Sequence, residues 1–349
     1  MDNDERPERR SRQGRETGPQ IRDVAAAAGV SYQTVSRVLN NSPRVRPETR
    51  QIVLDAMEQL RYRPNRAAQT LGSGRANAVT VVTANTTLYG YAGVLQGVEQ
   101  AGRLLGLAVG VRVVESDVAA DVRQAAEYVS DPSAGSVVVV AFDPAGAAVA
   151  RALPADVPMV AATEAGGIPD ATRPMLWLDE RHAAAEATRH LLALGHRTVH
   201  HVAIPSEARS SARQGGWRDA LSEAGRGAPE VVPAGWDVRS GYRAGRELAK
   251  DPAVTAILCG NDDIALAVRR ALYEAGRDVP GEVSVVGFDD VPGAALWTPA
   301  LTTVRMDFQG LGRACVARLA GEAVVEPEVP HLVVRESTAA PRPHSVTNT

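Results

Sequence analysis

From residue 77 onward, short runs of consecutive apolar, β-branched residues alternate with amphipathic stretches of helical length. Ala78–Thr83, Leu107–Val114, Ser136–Ala141 and Met159–Ala162 read as strands, with helices expected over Val94–Leu105, Ala119–Val129 and Ala145–Leu153. The alternation resumes after Pro174: strands at Thr198–Ile204, Thr255–Cys259 and Val283–Phe288, helices at Ala183–Leu194, Ala212–Ala224, Val238–Ala249 and Asp262–Ala275. Strands without a polar face must be covered on both sides, which calls for parallel sheets with helices on both faces. Because the alternation comes in two sets, two doubly wound parallel-sheet lobes are expected. Ligands of such sheets bind beyond the carboxyl ends of the strands. A cleft between two facing lobes is the natural site.

The first quarter of the chain follows another pattern. Residues 1–19 are charged, carry Pro, Gly and Ser, and show no apolar period, as a disordered arm does. Residues 20–64 read as a compact helical unit. Asp23 to Ala28 is a short helix with an apolar face, and Gly29 can take the positive φ of a sharp turn. The Ser31 hydroxyl can cap a second helix in which Val35, Val38 and Leu39 face inward and Tyr32, Gln33, Ser36 and Arg37 face out. Pro47 suits the first turn of a third helix, whose Ile52, Val53, Ala56, Met57 and Leu60 form one apolar face. This is a helix-turn-helix layout, in which the start of the second helix reaches base edges. Arg suits guanine and Gln suits adenine. A small helical domain without DNA is the competing reading. The 349 residues carry a formal charge of -3, distributed unevenly. Residues 1–75 hold 14 Arg against nine acidic residues, and the remainder holds 24 basic against 32 acidic residues. A basic head on an acidic body suits a polyanionic partner. Residues 65–76, with Gly72-Ser73-Gly74, read as a hinge and linker, 77–343 as the core, and 344–349 as a polar tail.

Two stretches make the reading specific. Val30-Ser31-Tyr32-Gln33-Thr34-Val35-Ser36-Arg37-Val38 and Tyr62-Arg63-Pro64-Asn65-Arg66-Ala67-Ala68-Gln69-Thr70-Leu71 resemble the lactose/galactose repressor family, and the similarity runs from Ile21 to about Leu332. The resemblance implies an all-α helix-turn-helix head and an α/β core of two periplasmic-binding-protein-type lobes. It implies a homodimer on pseudo-palindromic, double-stranded operator DNA, controlled by a small sugar-like effector, a galactoside among the candidates. Ser31, Tyr32, Gln33, Thr34, Ser36, Arg37, Asn40, Asn65, Ala68 and Leu71 would then meet DNA. Leu71 would be an apolar wedge in the minor groove, at the end of a hinge helix that forms on DNA. In the core, Leu88, Asp143, Arg213, Trp236, Asn261, Asp289 and Phe308 fall where sugar-binding members place their contacts. Asp143 would hold hydroxyls from one lobe and Arg213, Asn261 and Asp289 from the other, with Trp236 stacked on the ring. Three departures stand out. Gln20 replaces the usual Ser or Thr cap, Met306 replaces an amide, and Tyr89 and Tyr91 are bulkier than expected.

Other classes find little support. No dinucleotide loop, phosphate loop, nucleophile elbow or metal-ligand spacing occurs, so no catalytic residue, metal or cofactor is expected. Cys259 and Cys315 stand far apart and read as reduced core residues. His182, His190, His196, His200 and His201 read as surface or helix-end residues, and Trp217 as core. The N-terminus lacks the apolar stretch of an export signal, so a cytoplasmic protein is expected rather than a sugar-transport protein built on the same core. The last residues carry no apolar heptads, so a dimer is expected rather than a tetramer.

Overall fold

The computed structural model describes residues 19–39, 44–62, 76–164, 168, 173–206 and 211–342. The chain divides into two compact units, Met1–Ala76 and Asn77–Thr349.

In the first unit, helices α1 (Ile21–Ala27), α2 (Tyr32–Leu39) and α3 (Pro47–Gln59) pack around Val24, Val35, Val38, Val53 and Ala56. Gly29, at φ +63°, makes the turn between α1 and α2. The Ser31 hydroxyl accepts from the Thr34 amide at 3.1 Å and caps α2. Gln20 does stand at the N-cap of α1, and the first turn is secured from within: the Asp23 carboxylate accepts from the Gln20 amide at 2.7 Å. Ile52 departs from its expected inward position and is 51% exposed. The inward stripe of α3 is centred on Val53, Ala56, Met57 and Leu60, which leaves Ile52 on its rim.

The second unit holds two sheets among the described residues. The first lobe runs β1 (Ala78–Thr83), α4 (Tyr89–Leu104), β2 (Ala108–Val113), α5 (Ala119–Ser130), β3 (Ser136–Ala141), α6 (Pro144–Ala152), β4 (Met159–Thr163) and β5 (Met175–Trp177). Its strands are parallel in the order β2-β1-β3-β4-β5, with Val81 opposite both Val111 and Val138. Val137 to Val140 are fully buried, as a central strand covered on both faces requires.

The second lobe runs α7 (Glu180–Ala193), β6 (His200–Ala203), α8 (Ala212–Glu223), β7 (Val232–Pro233), α9 (Val238–Leu248), β8 (Ala256–Cys259), α10 (Asp262–Glu274), β9 (Ser284–Asp289) and β10 (Thr302–Arg305). After β10 the chain returns to the first lobe as α11 (Phe308–Ala320), packed on α4, and then adds β11 (His331–Val333) antiparallel to β10. The second sheet has the order β11-β10-β9-β8-β6-β7. The α4–α11 approach is close: a Cβ on Gly97 would lie 2.0 Å from the Gln309 carbonyl oxygen. β5, β7, β10, α11 and β11 were not expected from the sequence. β10 is four residues long, and Gly310 and Gly312 weaken the helical signal of α11.

Candidate functional site

On α2, Tyr32, Gln33 and Arg37 are exposed together with Ser31, whereas Thr34 and Ser36 are half-buried. The Ser31 and Thr34 hydroxyls lie 2.9 Å apart, so both are engaged in the helix start. Packing demands nothing of Tyr32, Gln33 or Arg37; Tyr32 is 53% exposed. Their amide, phenol and guanidinium groups are free to meet another surface. Asn40, Asn65, Ala68 and Leu71 lie outside the described residues.

In the core, a cavity partly open to solvent gathers residues from strand ends and helix starts of both lobes. Asn261 caps α10: its Oδ1 accepts from the Ile264 amide at 2.8 Å, which leaves the side-chain NH2 as a donor. Asp289 ends β9 at φ +115°, a conformation costly for a residue with a Cβ and typical of residues held for a purpose. Burial holds its carboxyl well above the ordinary range, against the pull of Arg213. Arg213 lies in the first turn of α8 and is 6% exposed. It donates to the Gly260 carbonyl and, at 3.3 Å, to Glu180 Oε1, and its guanidinium lies 4.2 Å from the Phe288 ring centre. Asp289 Oδ1 is 3.7 Å from it, an ion pair too long for a hydrogen bond. Arg213 Nε, Glu180 Oε2 and Asp289 Oδ1 are buried without a hydrogen-bond partner.

The facing wall is aromatic. Leu88, Tyr89, Tyr91, Phe142 and Phe308 line the cavity from the first lobe, and Trp236 lines it from the second. Tyr91 meets Phe142 and Trp236 edge-on at 5.4 and 6.0 Å between ring centres. Asp143 stands behind this wall. Its Oδ1 accepts from the Gly146 amide at 3.0 Å, capping α6, and its Oδ2 accepts from the Tyr91 hydroxyl at 2.5 Å. Six of the seven effector-site residues expected from the sequence therefore line one cavity, and Tyr91 stands between it and the seventh, Asp143.

Three further carboxylates line it that sequence reasoning did not single out, Glu164, Glu180 and Asp263. Glu164 directly follows β4, the same strand-end signal that pointed to Asp143 and Asp289. It accepts from the Ser206 hydroxyl at 2.6 Å and is pushed up to about 7 by burial and by Glu180, with Ser206 and Arg213 opposing. Glu180 opens α7 and had no such signal.

Asp262 and Asp290 support the site from outside. Asp262 accepts from Thr303 Oγ1 at 2.5 Å and from the Val291 amide at 2.8 Å, and burial pushes it up to about 7. Asp290 pairs with Arg305 and Arg335, each at 2.6 Å. Together they pin the turn that presents Asp289. The histidine reading needs correction: His196 and His201 are 3% and 1% exposed. His196 bonds Thr255 and Ser284 at 3.0 Å, and His201 bonds the Leu258 carbonyl at 3.0 Å, so partners distant in sequence satisfy both buried rings. Trp217 is fully buried and donates to the Val199 carbonyl at 2.8 Å, as a core residue. Among the described residues no group of three His, Cys, Asp or Glu could hold a metal ion, and no helix is long and apolar enough to cross a membrane.

A helix-turn-helix unit on one chain with a two-lobed core of this kind defines a DNA-binding transcription regulator with a ligand-binding core. Residues 20–65 match bacterial regulatory proteins of the lacI family, and residues 188–338 match the periplasmic binding protein-like domain. The chain is 31% identical over 333 residues to the lactose operon repressor of Escherichia coli, covering 91% of this chain and 90% of that protein. It is 32% identical over 339 residues to the transcriptional regulator CelR of Thermobifida fusca, covering 91% and 98%. Among solved structures, the lac repressor dimer bound to operator and the anti-inducer ONPF superimposes with a TM-score of 0.78 at 30% identity, over 93% of this chain and 100% of that one. The CelR–cellobiose complex gives 0.65 at 30% identity, over 91% and 99%. The chain belongs to the lacI family of bacterial regulatory proteins.

Proposed function

We propose that this protein is a cytoplasmic, homodimeric transcriptional repressor whose affinity for a pseudo-palindromic operator falls when a sugar-like effector binds in the core. The observation that carries the reading is the cavity in which Arg213, Asn261 and Asp289 face a wall of aromatic rings. Donors and acceptors on one side and ring faces on the other match the hydroxyls and C–H face of a sugar. Binding rather than turnover is its chemistry.

On DNA, Tyr32, Gln33 and Arg37 read bases, Ser31, Thr34, Ser36 and Asn40 support the contact, and Asn65, Ala68 and Leu71 act in the hinge of residues 65–76. Two features support dimerisation through the core. β2, an edge strand, exposes Val111 and Val113, and the second lobe exposes Leu266, Tyr273 and Leu296. Natural proteins seldom leave an apolar sheet edge uncovered. The solved lac repressor is a dimer on its operator. The cleft joins both lobes, so a ligand bridging them favours one lobe angle, and the hinge is the element that would carry this to DNA. Coupling of this kind is about 1–3 kcal/mol, or roughly 5- to 150-fold in affinity. The test is an operator titration with and without a ligand found by thermal shift. Weaker binding with ligand is expected, tighter binding would make the effector a co-repressor, and unchanged affinity would sink the switch.

A further inference from the structure

We infer that the effector carries a protonated amine, and that it is an amino sugar of monosaccharide size bound by Glu164, Glu180 and Asp289. The inference rests on the sugar-effector reading and narrows it. Among the described residues the cavity is lined by four carboxylates, Glu164, Glu180, Asp263 and Asp289, and by one cation, Arg213. That cation is already matched: it pairs with Glu180 at 3.3 Å and with Asp289 at 3.7 Å. Glu180 and Asp289 are 4% and 8% exposed, and each keeps a buried oxygen without a hydrogen-bond partner. Both residues line the cavity. Buried carboxylates that outnumber the cation they share are costly to keep ionised unless a further cation meets them.

A neutral sugar brings hydroxyl donors and no charge. An ammonium brings three donors and a positive charge, and a charge-assisted hydrogen bond is about twice as strong as a neutral one. A bare metal ion fits poorly, because among the described residues no three such ligands converge on one point. Five of the chain's fourteen aromatic residues line the same cavity: Tyr89, Tyr91, Phe142, Trp236 and Phe308. Ring faces hold both the C–H side of a sugar and a nearby ammonium. Tyr91 lines the cavity, and its hydroxyl donates to Asp143, the N-cap of α6.

The experiment is isothermal titration calorimetry of the full chain at neutral pH and constant ionic strength. Glucosamine and galactosamine are compared with their N-acetyl forms and with glucose and galactose, and choline and putrescine serve as amines without a sugar ring. At least one hexosamine should bind about tenfold or more tighter than its acetylated and neutral parents, as one added charge-assisted contact implies. Glu164→Gln should remove most of that preference, and its unliganded melting curve reports whether it folds. If it does not fold, the ligand series on the unaltered chain decides alone. A neutral hexose that binds as tightly as its amine overturns this inference and leaves the sugar reading standing. Choline or putrescine binding with no carbohydrate binding overturns both. Failure of every hexosamine to bind overturns the inference, whatever the neutral sugars do.

Discussion

Tyr32 is 53% exposed on α2, whereas Arg213 is 6% exposed in the first turn of α8. The same contrast holds for their neighbours. Gln33 and Arg37 stand in solvent, while Asn261 and Asp289 are buried, one capping a helix and the other ending a strand at positive φ. In the head, the groups offered to a partner and the groups that hold the fold are different residues. In the core they are the same residues. A head contact can therefore change without disturbing its scaffold, and a core contact cannot.

The sharpest way to break this comparison is Arg213→Ala. It leaves Glu180 and Asp289 as buried carboxylates without their cation, a loss that typically costs about 3–5 kcal/mol. Denaturant unfolding of the core should show that loss together with a lost ligand response. A normal melting curve with the response gone would show that the core separates function from stability as the head does.

Gln33→Ala supplies the opposite arm. The side chain is exposed, and among the described residues no hydrogen bond depends on it, so unfolding should be unchanged. Operator affinity should fall by about 1–3 kcal/mol with relaxed specificity at one base pair. Selection from random DNA checks the second part, and a retained specificity would remove Gln33 from the readers.

Glu164 tests the core through pH. Its carboxyl is raised from 4.5 to about 7, by burial first and then by Glu180, while Ser206 and Arg213 oppose, and Tyr91 also feels its charge. A carboxyl raised on folding keeps its proton in the folded chain after the unfolded chain has released it. Its contribution is thus fully present below about 4.5 and is lost as pH rises through about 7. Glu164→Gln should flatten that fall and, above the window, make the core more stable by on the order of 1–2 kcal/mol. Asp262, also at about 7, keeps part of the slope. A variant less stable than the parent at every pH would show that Glu164 supports the fold as an anion.

Ser31→Ala probes a head residue that blurs the comparison. Ser31 is exposed and expected at DNA, yet its hydroxyl caps α2. Losing an N-cap costs about 1 kcal/mol, so both head stability and operator affinity should drop slightly. An effect on DNA alone would make the cap dispensable.

How much could be read in advance follows the same division. The head's described candidates lie within seven consecutive residues, Ser31 to Arg37, of one helix and its cap, so helical period alone separates Val35 and Val38 from Tyr32, Gln33 and Arg37. In the core, the strand-end rule and the family resemblance found Asn261, Asp289 and Arg213. Neither could show that Tyr91 bonds Asp143 across 52 positions, or that Glu164 and Glu180 share a cavity with Arg213. His196 and His201 were misread for the same reason: their partners Thr255, Ser284 and Leu258 come from strands far along the chain.

By itself, then, the sequence determined the local order: which of the longer, strongly patterned segments are helix and strand, where the chain changes character near residue 76, and which helix face is polar. These depend on neighbours within a few positions, through period, caps and β-branching. Only the tertiary structure decided which polar groups are buried together and which lack a partner. Ion pairing, desolvation and ring contacts act through space. In a parallel sheet the order β2-β1-β3-β4-β5 puts strand ends side by side that the chain keeps dozens of residues apart.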